Sequence, residues 1–141
     1  MDEREIEKRI ERALEAHKLG FNCAQCVMHA CCDLAGLDET IAFKMLEGFG
    51  GGMGAGTQTC GALSGAVAVV SFSMSEGPDN PKHKFETYKV IGPLVEEFRN
   101  LAGGSTICNE IKGCTGGPVL HSCSDCIADG VRLTVDALAK P

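Results

Sequence analysis

Apolar residues recur at helical spacing along most of this chain. Ile6, Ile10, Ala13, Leu14 and the run Ala16–Leu19 predict a helix over Asp2–Leu19, with Gly20 as its stop. Glu7, Lys8, Glu11 and Arg12 lie on the opposite, solvated face. A second helix runs from Asn22 through Leu34 and ends at Gly36. Asp38 caps a third over Glu39 to about Glu47, with Ile41, Phe43, Met45 and Leu46 as core candidates. The stretch Gly48–Gly56 is too glycine-dense for a regular element. A fourth helix, from about Thr59 to Met74, is rich in Ala, Val and other small residues, as suits a buried central rod. After a loop over Glu76–Pro81, a fifth helix reaches Leu101, and Ile91-Gly92-Pro93 should kink or break it. A short helix near Thr106–Ile111, an irregular segment over Gly113–His121 and a final helix over Ser122–Ala139 complete the pattern. No segment alternates with strand period over a useful length. The expected fold is an all-α, single-domain helical bundle of about six helices with glycine-rich loops, spanning residues 1–141.

Composition narrows the chemistry. With 141 residues, 44% hydrophobic and 23% charged, the chain can bury a core without disulfide staples. A net charge of −6, no Trp and a single Tyr argue against a nucleic-acid partner, which rewards basic patches and stacking rings. The most apolar run, Ala62–Met74, is too short and too serine-diluted for a membrane span. The acidic N-terminal segment is unlike a secretory leader, so the expected location is cytoplasmic. There stable disulfides are disfavoured, and nine cysteines then point to metal, cluster or catalytic use.

Four of the nine fall at helix starts: Cys23, Cys60, Cys108 and Cys123, each closely preceded by a capping residue type (Asn22, Thr59, Ser105 or Thr106, and Ser122). A helix start offers free N–H groups and a positive field, which favours thiolate over thiol. Four such starts pointing at one place would make an electropositive pocket suited to a thiolate-ligated cluster or a reactive dithiol. Cys26 and Cys126 each follow a helix-start cysteine by three residues, giving two CxxC pairs. Those pairs suit either thiol–disulfide exchange or a tetrahedral zinc site. Cys31 and Cys32 point about 100° apart on their helix and read as small core hydrophobes. Cys114, between two glycine runs, is a candidate accessory thiol, and His121 a surface histidine within reach of Cys123. Neither CxxC is followed by His, and the glycine run lacks a Lys-Ser/Thr, so haem attachment and P-loop signals are absent.

Gly20-Phe21-Asn22-Cys23-Ala24-Gln25, Cys60-Gly61-Ala62-Leu63-Ser64-Gly65, Cys108-Asn109-Glu110 and Cys123 before an apolar helix together resemble the redox-active family C_GCAxxG_C_C. The resemblance covers nearly the whole chain and maps the family's four defining cysteines onto Cys23, Cys60, Cys108 and Cys123. A similar module occurs within split-Soret cytochromes, which implies electron transfer. Cys26, Cys31, Cys32, Cys114 and Cys126 are additions to that pattern. The expectation is an iron–sulfur cluster, [2Fe–2S] or [4Fe–4S], on those four cysteines, with Cys26, Cys114 and Cys126 as accessory candidates and an electron-transfer role with a redox partner protein. The rivals are a thiol–disulfide oxidoreductase with no cofactor, working through the CxxC pairs, and a zinc-stabilised binding module. The small-residue face Gly61, Ala62, Gly65, Ala66 and Ala68 fits a second copy in a homodimer or an intramolecular neighbour equally well.

Overall fold

A computed structural model describes residues 1–139. The helices are α1 (Glu3–Lys18), α2 (Cys23–Ala35), α3 (Glu39–Leu46), α4 (Gly50–Met53), α5 (Gly61–Met74), α6 (Lys84–Leu101), α7 (Cys108–Ile111) and α8 (Cys123–Ala139). Short 3₁₀ turns over Glu47–Phe49 and Pro81–His83 precede α4 and α6. The described residues form an all-α bundle with no strand, and no helix among them is long and apolar enough to cross a membrane.

α5 is the central rod, packed against α2, α8 and α6. Its small-residue face is occupied from within the chain. A Cβ on Gly65 would stand 2.5 Å from the Ala24 carbonyl oxygen of α2, so these helices meet backbone to backbone. On the other flank, Gly130 of α8 lies against the Ala62 carbonyl of α5 and the Val27 side chain of α2. Met28, Val69, Val70, Phe98, Ile127 and Val131 fill the space between.

α1 straddles α2 and α8. Its face carries a buried charge that periodicity passed over. Arg9 donates to the Ala30 carbonyl at 2.8 Å and makes a two-point contact with the Asp33 carboxylate at 2.7 and 2.9 Å. This fork ties the middle of α1 to the last turn of α2 and holds the Asp33 carboxyl below its ordinary range.

Two expectations need correction. α6 runs without interruption through Ile91-Gly92-Pro93. Pro93 lies on the solvent face, as does Lys89 four residues earlier, so the carbonyl freed by the missing N–H can turn to water. On α3 only Ala42 and Leu46 are buried, with Phe43 packed partly against the core, whereas Ile41 and Met45 are 59% and 70% exposed. Eight residues leaning chiefly on α2 have one inward stripe, and Ile41 and Met45 fall outside it.

Candidate functional site

The site lies where α2, α5, α7 and α8 begin. α2 starts with a reciprocal cap. Asn22 Oδ1 accepts from the Gln25 N–H at 2.9 Å, and Gln25 Oε1 accepts from the Asn22 N–H at 3.0 Å. The Asn22 side-chain amide then donates to the Glu47 carbonyl at 2.9 Å, drawing the glycine segment over the start of α2. Cys23 begins this helix half-buried. α8 has the expected cap too, with Ser122 Oγ accepting from the Asp125 N–H at 3.0 Å and Cys123 as the first helical residue.

The other two starts are built differently. Thr59 does not cap α5; Cys60 itself stands at the cap position, with no side-chain hydrogen bond to the helix start. Nor does Ser105 or Thr106 cap α7, whose cap position is Ile107. Ser105 Oγ accepts from the Ile107 N–H and donates to Glu110 instead. What fixes Cys60 and Cys108 is a one-rung antiparallel bridge between Thr59 and Ile107. Across it the Cys60 N–H donates to the Thr106 carbonyl at 2.8 Å and the Cys108 N–H to the Gln58 carbonyl at 2.9 Å. Two cysteines far apart in sequence are thereby held in one register.

The glycines set the remaining distances. Gly52 has φ +64°, and a Cβ there would stand 2.6 Å from the Cys108 Cβ. Gly61 lies so near α2 that a Cβ would meet both the Cys23 Cβ and the Gly50 Cα at 3.2 Å. The α4 turn is thus pressed between the Cys23 and Cys108 elements, and only residues without side chains allow that approach. Met53, with φ +59°, is the one non-glycine with a left-handed backbone among the described residues.

The charge balance at this junction departs from the expectation that every helix start would favour thiolate. Burial pushes the Cys23 thiol up to about 12, and the neighbouring sulfurs of Cys60 and Cys123 push it the same way. Burial also raises Cys108, with Cys60 and Cys123 adding to the shift. α7 is a single turn and supplies little opposing field. Cys60 is shifted the other way, towards thiolate. The neighbouring Cys126 thiol, the first N–H groups of α5 and the Lys112 ammonium all favour its charged form. Cys126 is raised in turn, because it keeps the shared proton.

Cys60 and Cys123 thus lie near enough to Cys23 and to Cys108 to act on each, and Cys126 and the Lys112 ammonium lie beside them. Lys112 extends its half-buried side chain to within 3.6 Å of the Cys126 sulfur, and the Cys123 and Cys60 sulfurs also bear on its charge. The sequence pairs Cys126 with Cys123 and offers it as an accessory ligand, but gives no place to Lys112. The available signals were modest: Lys112 is four residues after Cys108, and Cys126 shares the inward stripe of α8 with Gly130 and Thr134. Cys26 is directed elsewhere, its thiol donating to the Phe21 carbonyl at 3.6 Å. Cys31 and Cys32 are core residues, Cys114 is exposed, and His121 pairs with Asp129 at 2.6 Å.

All nine cysteines are free thiols. Among the described residues no three or more Cys, His, Asp or Glu side chains form a group that could hold a single metal ion. The four sulfurs are not gathered around one point. The family model described as "Putative redox-active protein (C_GCAxxG_C_C)" matches residues 21–137, from just before α2 into the last turns of α8. The chain matches no curated protein and no solved structure.

Proposed function

The chain belongs to the C_GCAxxG_C_C family of redox-active proteins, and from that premise and the geometry of the junction we propose that it is an electron-transfer protein holding an iron–sulfur cluster on Cys23, Cys60, Cys108 and Cys123. What supports this reading is that Cys60 and Cys123, carried by α5 and α8, act on both Cys23 of α2 and Cys108 of α7. The donor set fits the group. Soft thiolates are the ligands that iron–sulfur clusters take, and binding would displace the protons that burial keeps on Cys23 and Cys108. Several thiolates cannot share a partly desolvated space on the strength of one ammonium group; iron would supply the missing positive charge. When bound, a cluster accepts and releases single electrons. The protein's part is to hold the sulfurs, limit water and tune the potential. The backbone of α4 and the first N–H groups of α5 supply dipoles, and Lys112 supplies a full charge.

Thiol–disulfide exchange through Cys23 and Cys26 draws less support, since Cys26 is fully buried and its thiol is committed to the Phe21 carbonyl. The cluster reading is tested by anaerobic purification followed by iron and acid-labile sulfide analysis. Iron and sulfide in stoichiometric amounts with charge-transfer absorption are expected. Cys60→Ser should abolish iron retention, whereas Cys31→Ser, in the core beside Arg9, should leave it unchanged. Equal loss in both variants, or a wild-type protein that takes no iron and sulfide under reducing reconstitution, would reject the assignment.

A further inference from the structure

A cavity of about 380 Å³ borders the bridge that holds Cys60 and Cys108 in register. Phe49, Met53, Leu63, Val67 and Val95 give it apolar walls. Thr59, Ser71 and Thr106 bring hydroxyls to the same lining, and no ionisable side chain among the described residues joins them. The larger groove between α6 and α8 is different, carrying Lys89, Glu97, Arg132 and Asp136. Thr59 directly precedes Cys60, and the Thr106 carbonyl accepts from the Cys60 N–H at 2.8 Å, so the cavity and the cysteine site share a wall. The α4 turn that reaches this wall is strained at one point. Gly51, Gly52, Met53 and Gly54 all have left-handed backbone, and Met53 alone of the four carries a side chain. That backbone is costly for any residue with a Cβ. Met53 is 48% exposed, so its side chain is not held there by the core; it stands on the cavity wall.

We propose that this cavity, walled by the α4 turn, α5 and the Thr59–Ile107 bridge, binds a small uncharged quinone. Size, polarity and position each select that class. Ligand pockets span about 300 to 1,000 Å³, and a cavity near the lower bound takes a molecule of one or two rings rather than a dinucleotide. A lining without charge disfavours anions, because a buried phosphate or carboxylate needs partners that these walls do not supply. The apolar walls suit the faces of a flat ring, and the polarizable Met53 thioether suits an aromatic edge. The hydroxyls of Thr59, Ser71 and Thr106 are donors for carbonyl oxygens, and a quinone carries two carbonyls and no charge. Binding itself needs no metal. The choice of a redox-active ring over another uncharged ring rests on the electron-transfer reading of the cysteine site, with which the cavity shares its wall.

The test uses the full chain, before any iron and sulfide is added, isotope-labelled at its methionine methyl groups and titrated by NMR. The probe is duroquinone, whose fully methylated ring blocks addition of cysteine thiols; absorbance checks that it stays oxidised. The Met53 methyl signal, identified by its absence in Met53→Leu, should shift saturably at one quinone per chain. Met1 and Met28, which do not line the cavity, should keep their positions. Durene, the same ring without carbonyl oxygens, should bind at least about fivefold more weakly. Mesitoate, a trimethylbenzoate anion of similar size, should bind at least about tenfold more weakly. Ala68→Leu, which fills the cavity from α5, should weaken quinone binding at least about tenfold. A Met53 signal unmoved at the solubility limit overturns the proposal, as does durene or mesitoate binding as tightly as the quinone. Movement of that signal with protein concentration alone would make a second copy the occupant and overturn it too. These results are read on wild-type protein and hold even where Ala68→Leu fails to fold. Iron and sulfide loading is measured on a separate sample: failure to load rejects the cluster reading alone, and an unmoved Met53 signal rejects this one alone.

Discussion

Gly65→Ala is the sharpest test of how α2 and α5 are held together. The added methyl would stand 2.5 Å from the Ala24 carbonyl oxygen, 3.0 Å from its Cα and 3.1 Å from its carbonyl carbon, where ordinary contact begins at 3.4 Å. All three obstacles are backbone, so no side chain can rotate away. The helices must separate by about 0.9 Å along this direction, the difference between the required and available distance. Overpacking of this kind costs about 1–3 kcal/mol, and the better helix propensity of alanine returns at most about 1 kcal/mol. A net loss of about 1–2 kcal/mol follows. For a chain of this size that lowers the melting temperature by about 4–8 °C. The assay is thermal and urea denaturation followed by far-ultraviolet circular dichroism, on metal-free protein throughout. Gly48→Ala is the paired control: its Cβ meets nothing within 4 Å and its φ is not left-handed. There the same substitution should be neutral or stabilising by about 0.5 kcal/mol through the unfolded state. If Gly65→Ala melts with wild type while Gly48→Ala behaves as stated, the backbone-to-backbone contact of α2 and α5 is refuted.

Gly52→Ala should cost about 1–2 kcal/mol from its left-handed backbone alone. Because its methyl would press on the Cys108 Cβ, iron retention should fall further than stability does, as metal analysis beside a melting curve would show. Lys112→Gln removes the ammonium group beside the Cys126 sulfur and should lower the midpoint potential of the loaded protein by at least about 40 mV, equivalent to about 1 kcal/mol even at water-like screening. Spectroelectrochemical titration reads this shift, and Lys112→Arg should restore most of it. Asp33→Asn should destabilise by about 1–2 kcal/mol at neutral pH, allowing for the exposure of the carboxylate. Since the Asp33 carboxyl is held below its ordinary value, its contribution is complete above the unfolded value near about 4 and fades as pH falls through the lower folded value. Urea titrations at stepped pH should show the gap between wild type and variant closing only on the acid side.

What the sequence disclosed and what it withheld divide along the range of the forces involved. Local signals read well at three places: the Asn22 cap, the Ser122 cap and the Gly36 stop each depend on residues within one turn, and each stands where the chain predicts it. Periodicity located the buried face of α1 but not Arg9, because a buried guanidinium depends on Asp33 and Ala30, which belong to another helix. It also placed Ile41 and Met45 inside, since hydrophobicity alone cannot tell how little of a short helix its neighbours cover. The cysteines show the same limit at the level of chemistry. A helix start is a local reason to favour thiolate, whereas burial and neighbouring sulfurs are tertiary ones, and at Cys23 and Cys108 the tertiary terms win. Cys60 keeps its bias because local and tertiary effects agree there: backbone N–H groups from its own helix, a thiol from α8 and an ammonium from α7 all favour the charged sulfur. That agreement makes Cys60 the pivot of the site. It is the ligand whose loss should release iron. Its place depends on the packing of α8 against the first turn of α5, so a substitution that parts those helices at Gly130 should weaken the site. Gly130→Ala, whose methyl would meet the Ala62 carbonyl oxygen at 3.0 Å and the Val27 side chain at 2.9 Å, is therefore expected to lower iron retention, read by metal analysis on folded protein. Iron retention equal to wild type would mean that the site does not depend on this joint.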